Sequence, residues 1–264
     1  MPQTWTNARA QFGFKFNLMD YDSVEGRKER IGYKEKHKKT GLDVSRHDGY
    51  FQLYGNDLEA NTALELHFLE HARKTLEVYY EILFWKTQMV FRAAKMINKL
   101  SGRNTSASDL FSAGESFIEG LDRKSFKHFS GLCGISGNGL AVPSAILCFI
   151  KPEKMPIVDL WVARWVNEHH QEFEGLVAFD DFNHQCTHRQ EIIDANALTE
   201  RANRLVVPQP IVRIKDFEAY RKWILWTRKF ADVLTGYTKT KWRARDIEMA
   251  IFTAQREGLQ LSIL

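Results

Sequence analysis

Residues 130–165 read SGLCGISGNGLAVPSAILCFIKPEKMPIVDLWVARW. An apolar helix runs up to Leu132, and Gly134, Gly137 and Gly139 then fall within a six-residue stretch. A second apolar helix opens near Pro143, and one aspartate, Asp159, stands after a Pro-Ile-Val run. Glycine permits positive φ and lets a backbone approach another surface closely. Proline suits the first turn of a helix, where its missing N–H is no loss. The pattern therefore predicts helix, glycine hairpin, helix over residues 132–145, with Leu132, Ile135 and Leu140 anchoring the turn. Two uses fit it. The hairpin is an ordinary interhelical connection, or the backbone N–H groups at the second helix start hold a phosphate.

Asp159 carries the same double reading. A carboxylate directly ahead of the amphipathic run LWVARWV is a good helix cap, accepting hydrogen bonds from the first backbone N–H groups. The cap also fixes the carboxylate in place, which suits it to offset positive charge developing on a sugar or to activate a water. One turn further on, Arg164 reads as a salt-bridge former.

Working outward, residues 61–100 (NTALELHFLEHARKTLEVYYEILFWKTQMVFRAAKMINKL) place Leu66, Leu69, Leu76, Tyr79, Leu83 and Phe84 at helical spacing. The stretch is too long for one ordinary helix and predicts two or three. SGRNTSASDL is a polar linker. SASDLFSAGESFIEGL and DRKSFKHFSGL then read as two short helices opened by Ser and Asp caps. At the far end, FEAYRKWILWTRKFADVL and KWRARDIEMAIFTAQREGL read as amphipathic helices separated by TGYTKT, with Ile247, Ala250, Ile251 and Ala254 on one face of the second. The best strand candidate, RLVVPQPIVRI, is interrupted by prolines. The expected fold class is all-α.

Residues 1–60 differ in character: EGRKERIGYKEKHKKTG is dense in Lys and Arg, and HDGYFQLYGND sets aromatic residues between turn formers. This segment reads as an N-terminal basic and aromatic extension, either a solvated arm or a strip along phosphates beside Tyr33, Tyr50 or Phe51. Residues 61–264 form the helical body.

Bulk properties bound the function. The 264-residue chain is 44% hydrophobic, enough for one large core or two smaller ones, and its 37 Lys+Arg against 33 Asp+Glu leave a net charge of +4. That balance permits a nucleic-acid partner without requiring one. No stretch approaches the roughly 18–20 uninterrupted apolar residues that cross a bilayer, and the opening MPQTWTNARAQFGFKF lacks the apolar block of a secretory leader. Cys133, Cys148 and Cys186 are odd in number and widely spaced, which predicts reduced thiols and a cytoplasmic or nuclear setting. His184, Cys186 and His188 alternate in NHQCTHRQE, yet no further ligand lies beside them in sequence; no metal and no cofactor are expected.

Taken together, the hairpin and the Pro-Ile-Val-Asp helix head resemble the helix-hairpin-helix DNA glycosylase superfamily, the endonuclease III and alkyladenine glycosylase group. Its members carry a Leu-Pro-Gly-Val-Gly hairpin and then an aspartate in a Val-Asp-Thr-His-Val-x-Arg context. Here Val158, Asp159, Val162 and Arg164 match that context, and Leu160 and Trp161 depart from it. The likeness covers roughly residues 76–170. It implies two helical subdomains flanking a cleft, a phosphate clamp from Gly134, Ser136, Gly137, Asn138 and Gly139, and Asp159 as the catalytic carboxylate. The hairpin registers with either Gly134 or Gly137 as the first family glycine. The nucleophilic lysine of the strand-cleaving members has no counterpart, since Leu140, Ala141 and Val142 occupy the matching positions. WKTQ stands where the first helix of the family is usually glutamine-rich. The resemblance therefore implies a monofunctional glycosylase acting as a monomer on double-stranded DNA with a damaged or mismatched base. Trp85 and Trp161 are candidates for base stacking or gap filling, against an ordinary core role. Lys86 is a phosphate contact or a surface lysine whose stem lies on apolar neighbours. The alternative is a DNA- or RNA-binding protein that keeps the scaffold without catalysis.

Overall fold

Apolar periodicity, capping residues and short polar breaks cut the chain into helices joined by turns. The computed structural model describes residues 2–12, 58–87, 90–134, 139–180 and 213–261. In chain order the helices are α1 (Pro2–Ala10), α2 (Leu58–His71), α3 (Glu77–Thr87), α4 (Val90–Ser101), α5 (Ala107–Gly120), α6 (Arg123–Leu132), α7 (Ala141–Ile150), α8 (Leu160–His169), α9 (Phe217–Thr238) and α10 (Ala244–Glu257). A 3-10 turn at Ile214–Asp216 leads into α9. Among the described residues there is no strand, only an isolated antiparallel bridge between Gly139 and Arg213. The all-α expectation holds. Residues 61–100 divide into three helices, within the two or three expected. The strand candidate at 204–214 lies almost wholly outside the described residues, as do His184, Cys186, His188 and the basic stretch 25–41.

The chain forms two compact units, one of residues 1–9 with 137–264 and one of residues 10–136. In the second, α2 packs on α3, α3 on α4 and α5 on α6. Ser106 caps α5 through a reciprocal box: its hydroxyl accepts from Asp109 N (3.0 Å), and the Asp109 carboxylate accepts from Ser106 N (3.3 Å). Leu121 ends α5 in the left-handed region at φ 47°, and Asp122 at once caps α6 by accepting from Lys124 N (2.8 Å) and Ser125 N (3.0 Å). So short a connection holds α5 and α6 as antiparallel neighbours, and Phe117 of one meets Phe126 of the other edge to face at 5.1 Å. The Ser125 hydroxyl and the backbone N–H groups hold the Asp122 carboxyl below the usual carboxylate range.

In the first unit α8 and α9 both pack on α10. The first two N–H groups of α10 donate to the loop after α7, Ala244 to Glu153 O (3.2 Å) and Arg245 to Pro152 O (3.1 Å). These bonds satisfy helix-end donors that would otherwise be buried without partners. An aromatic cluster fills the core: Trp226 stacks on Trp223 and on Phe230, and Trp165 and Phe173 close around them. α9 continues four residues past Leu234, through Thr235-Gly236-Tyr237-Thr238, where the sequence suggested a break. Gly236 has open space around it, the Thr238 hydroxyl donates to Leu234 O (2.8 Å), and Lys239 closes the helix at φ 59°.

α1 is the element least visible in the sequence. It is weakly amphipathic, yet Trp5 is fully buried, 4.7 Å from the Phe230 ring and 6.3 Å from Trp165. Arg9 reaches Asp246 at 3.2 Å and lies over the Trp242 ring. Residues 2–9 are thus partly core of the first unit, whereas residues 13–57 of the expected extension lie outside the described residues. Trp5→Ala is expected to cost about 3–5 kcal/mol, as for large-to-small aromatic changes in cores, read as the drop in urea-unfolding free energy.

Candidate functional site

Asp159 owes its position to the stretch before it. Met155, Pro156, Ile157 and Val158 are all buried, and Asp159 emerges half-buried at the head of α8. Three side chains from elsewhere in the unit hold this buried stretch. Trp223 Nε1 donates to Ile157 O (3.1 Å) and Arg228 Nε donates to Lys154 O (2.8 Å). The Ser144 hydroxyl accepts from Val158 N (3.1 Å) and lies 3.0 Å from Ala141 O, to which it can donate. Ser144 thereby ties the first turn of α7, the helix after the glycine hairpin, to the residue preceding Asp159. A buried N–H left without a partner is costly, so this one hydroxyl fixes both backbone segments.

Asp159 itself has extended backbone at φ −138° and ψ −170°, and its Oδ1 accepts from Trp161 N (3.0 Å) and Val162 N (3.2 Å). The cap expected from the sequence is present. Trp161, in the first turn of α8, is half-buried with the Arg164 guanidinium 5.4 Å from its ring centre. Arg164 was expected in a salt bridge; among the described residues it makes none and lies instead over the indole, an attraction between a cation and the ring quadrupole.

The hairpin divides between the units. Ser136, Gly137 and Asn138 lie outside the described residues. Gly134 belongs to the second unit, buried after the end of α6 with φ 71°, and a Cβ there would stand 2.9 Å from the Lys99 backbone. Its glycine identity follows from helix termination and from the close approach of α4. Gly139 belongs to the first unit and forms the bridge to Arg213 ahead of α7. α7 begins without a side-chain cap, Leu140 standing at the N-cap position. Trp85 and Lys86 lie on α3 of the second unit, Trp85 buried and Lys86 half-buried.

The structure thus gathers Asp159, Trp161, Gly139 and the start of α7 in one unit. Sequence reading missed Ser144, Trp223 and Arg228, which reach the backbone ahead of Asp159 only through the fold. A signal for one was present: Ser144 is the lone hydroxyl in the otherwise apolar AVPSAILCFI. Among the described residues no three His, Cys, Asp or Glu side chains are grouped to hold a metal ion, and no helix is long and apolar enough to cross a membrane. Cys133 and Cys148 are buried thiols outside any disulfide.

Ser144→Ala leaves the buried Val158 N–H without its acceptor and is expected to cost about 1–3 kcal/mol in chemical denaturation. Asp159→Ala removes the cap at about 0.5–2 kcal/mol, whereas Asp159→Asn, an equally good cap residue, is expected to retain nearly full stability in the same measurement. No protein-family model, curated protein or solved structure matches the chain.

Proposed function

We propose that the protein is a monofunctional DNA N-glycosylase that removes a damaged or mismatched base from duplex DNA, acting as a monomer in the nucleoid or nucleus. The observation that carries this reading is the Ser144 bridge, which couples the helix after the glycine hairpin to the residue before a half-buried, rigidly capped carboxylate. In the proposed reaction the hairpin backbone holds a phosphate while the target nucleotide is turned out of the stack. Water adds to the anomeric carbon as the bond to the base nitrogen breaks. The electron pair leaves with the base, which takes up a proton. Asp159 faces the sugar, offsets its oxocarbenium-like charge and takes the proton of the attacking water. Leu140, Ala141 and Val142 offer no amine for a Schiff base, so the phosphodiester strand is left intact. Two helical subdomains flanking a cleft remain part of this reading, with Trp85 or Trp161 against the extruded base and Lys86 on a phosphate.

A second reading is favoured by the cap itself, since Asp159 Oδ1 is occupied by two backbone donors. It makes the chain a nucleic-acid-binding module in which Asp159 only starts a helix. Duplex oligonucleotides bearing uracil, 8-oxoguanine, alkylated purines or hypoxanthine separate the two. The glycosylase reading expects base release from at least one lesion, no strand break before alkaline treatment, and a loss of about 10²–10⁴-fold in Asp159→Asn with duplex binding retained. Binding without release from any lesion establishes the second reading instead.

A further inference from the structure

The sequence RKSFKHFSGL of α6 divides by charge as sharply as by polarity. Phe126, Phe129 and Ser130 turn inward, while Arg123, Lys124, Lys127 and His128 are all exposed. At 100° per residue those four positions occupy about 140° of the helix circumference, so they share one face. The ten-residue helix contains no acidic side chain. Its neighbour Asp122 turns its carboxylate back onto Lys124 N, Ser125 N and the Ser125 hydroxyl. Among the described residues none of the four basic side chains has an ion-pair or side-chain hydrogen-bond partner. The positive face continues past the helix: Arg103 is exposed and donates to Gly131 O (2.5 Å), and the exposed Lys99 packs its backbone against Gly134. The ridge therefore ends where the glycine hairpin begins.

We infer that this face of α6 is a rail for the phosphates of duplex DNA, binding without regard to sequence. The inference rests on DNA being the partner, as proposed above, and not on the chemistry assigned to Asp159. Three observations select this occupant. A protein partner needs aromatic or aliphatic anchors, and a membrane surface needs apolar side chains to insert; among the described residues the exposed large hydrophobic side chains, such as Leu66, Leu69, Leu225 and Tyr237, all lie on other segments. Single-stranded nucleic acid is held largely by stacking on aromatic side chains, and both phenylalanines of α6, Phe126 and Phe129, are buried. Length also fits: from Arg123 to His128 the helix rises about 7.5 Å, the axial span of about three successive phosphates of one strand.

The test is the salt dependence of duplex binding by the full chain. Each lysine or arginine that neutralises a phosphate contributes about 0.9 to the slope of log K against log salt. The triple variant Arg123→Ala, Lys124→Ala, Lys127→Ala is expected to lower that slope by about 2.7, for undamaged and lesion-bearing duplexes alike. Between about 50 and about 200 mM salt, the wild type then loses about fortyfold more affinity than the variant. Lys229→Ala, Lys239→Ala, Lys241→Ala removes as much exposed charge from the other unit and is expected to leave the slope nearly unchanged. An α6 variant with wild-type melting temperature and wild-type slope overturns the rail, as does an equal loss in the control triple or a preference for anionic phosphatidylserine vesicles over duplex. Wild-type protein that binds duplex but releases no base sinks the glycosylase reading alone. Wild-type protein that binds no duplex sinks both.

Discussion

One hydroxyl group sets the geometry on which the candidate site depends. Ser144 Oγ serves Ala141 and Val158 together, inside a helix otherwise made of apolar residues. A buried polar group is tolerated only when it is satisfied, so the serine, the first turn of α7 and the backbone before Asp159 must be placed correctly at the same time. Trp223 and Arg228 reinforce the arrangement by holding Ile157 and Lys154 from the long helix α9. Asp159 consequently sits on a stretch held from two other helices, α7 and α9, and its own carboxylate is fixed by the helix that it starts. Rigid support of this kind is what an electrostatic role requires, because a group that need not reorganise acts at full strength when charge develops.

The second unit is governed by a different constraint. Gly134 ends α6 in a left-handed conformation at a point where the α4 backbone leaves no room for a side chain. One residue therefore stops the helix and allows two helices to approach. The same local economy appears at Leu121 and Asp122, where the end of α5 and the start of α6 share a two-residue turn. The direction of α6, and so the side on which its basic residues emerge, follows from these two ends.

Much of the fold was legible because it is local. The caps at Ser106, Asp122 and Asp159, the helix ending at Leu132 and the split of residues 61–100 follow from spacing and from residue types with known preferences at helix ends. The extension of α9 was not legible, because Gly236 ordinarily signals a stop and only the surrounding threonine bonds outweigh that cost. α1 escaped notice since its weak periodicity gives no hint that Trp5 enters a core built from residues far along the chain. The site was half legible: the carboxylate and the glycines stand out by type, while Ser144, Trp223 and Arg228 depend on contacts that no local pattern encodes. Gly134 carries in addition a packing role that its residue type alone does not reveal, since a Cβ there would meet the α4 backbone.

The burial of Trp5 beside Trp165 and Phe230 gives the first unit a discontinuous order of assembly. The nearer partner in sequence, Trp165, stands 160 residues from Trp5, and closing a loop of that length costs about 2.5 kcal/mol more entropy than closing one of ten residues. During synthesis the opening helix leaves the ribosome long before the rings that cover it, and the whole of residues 10–136 emerges in between. That intervening unit can therefore mature first, while the Trp5 indole stays uncovered until the rings that pack on it have been made.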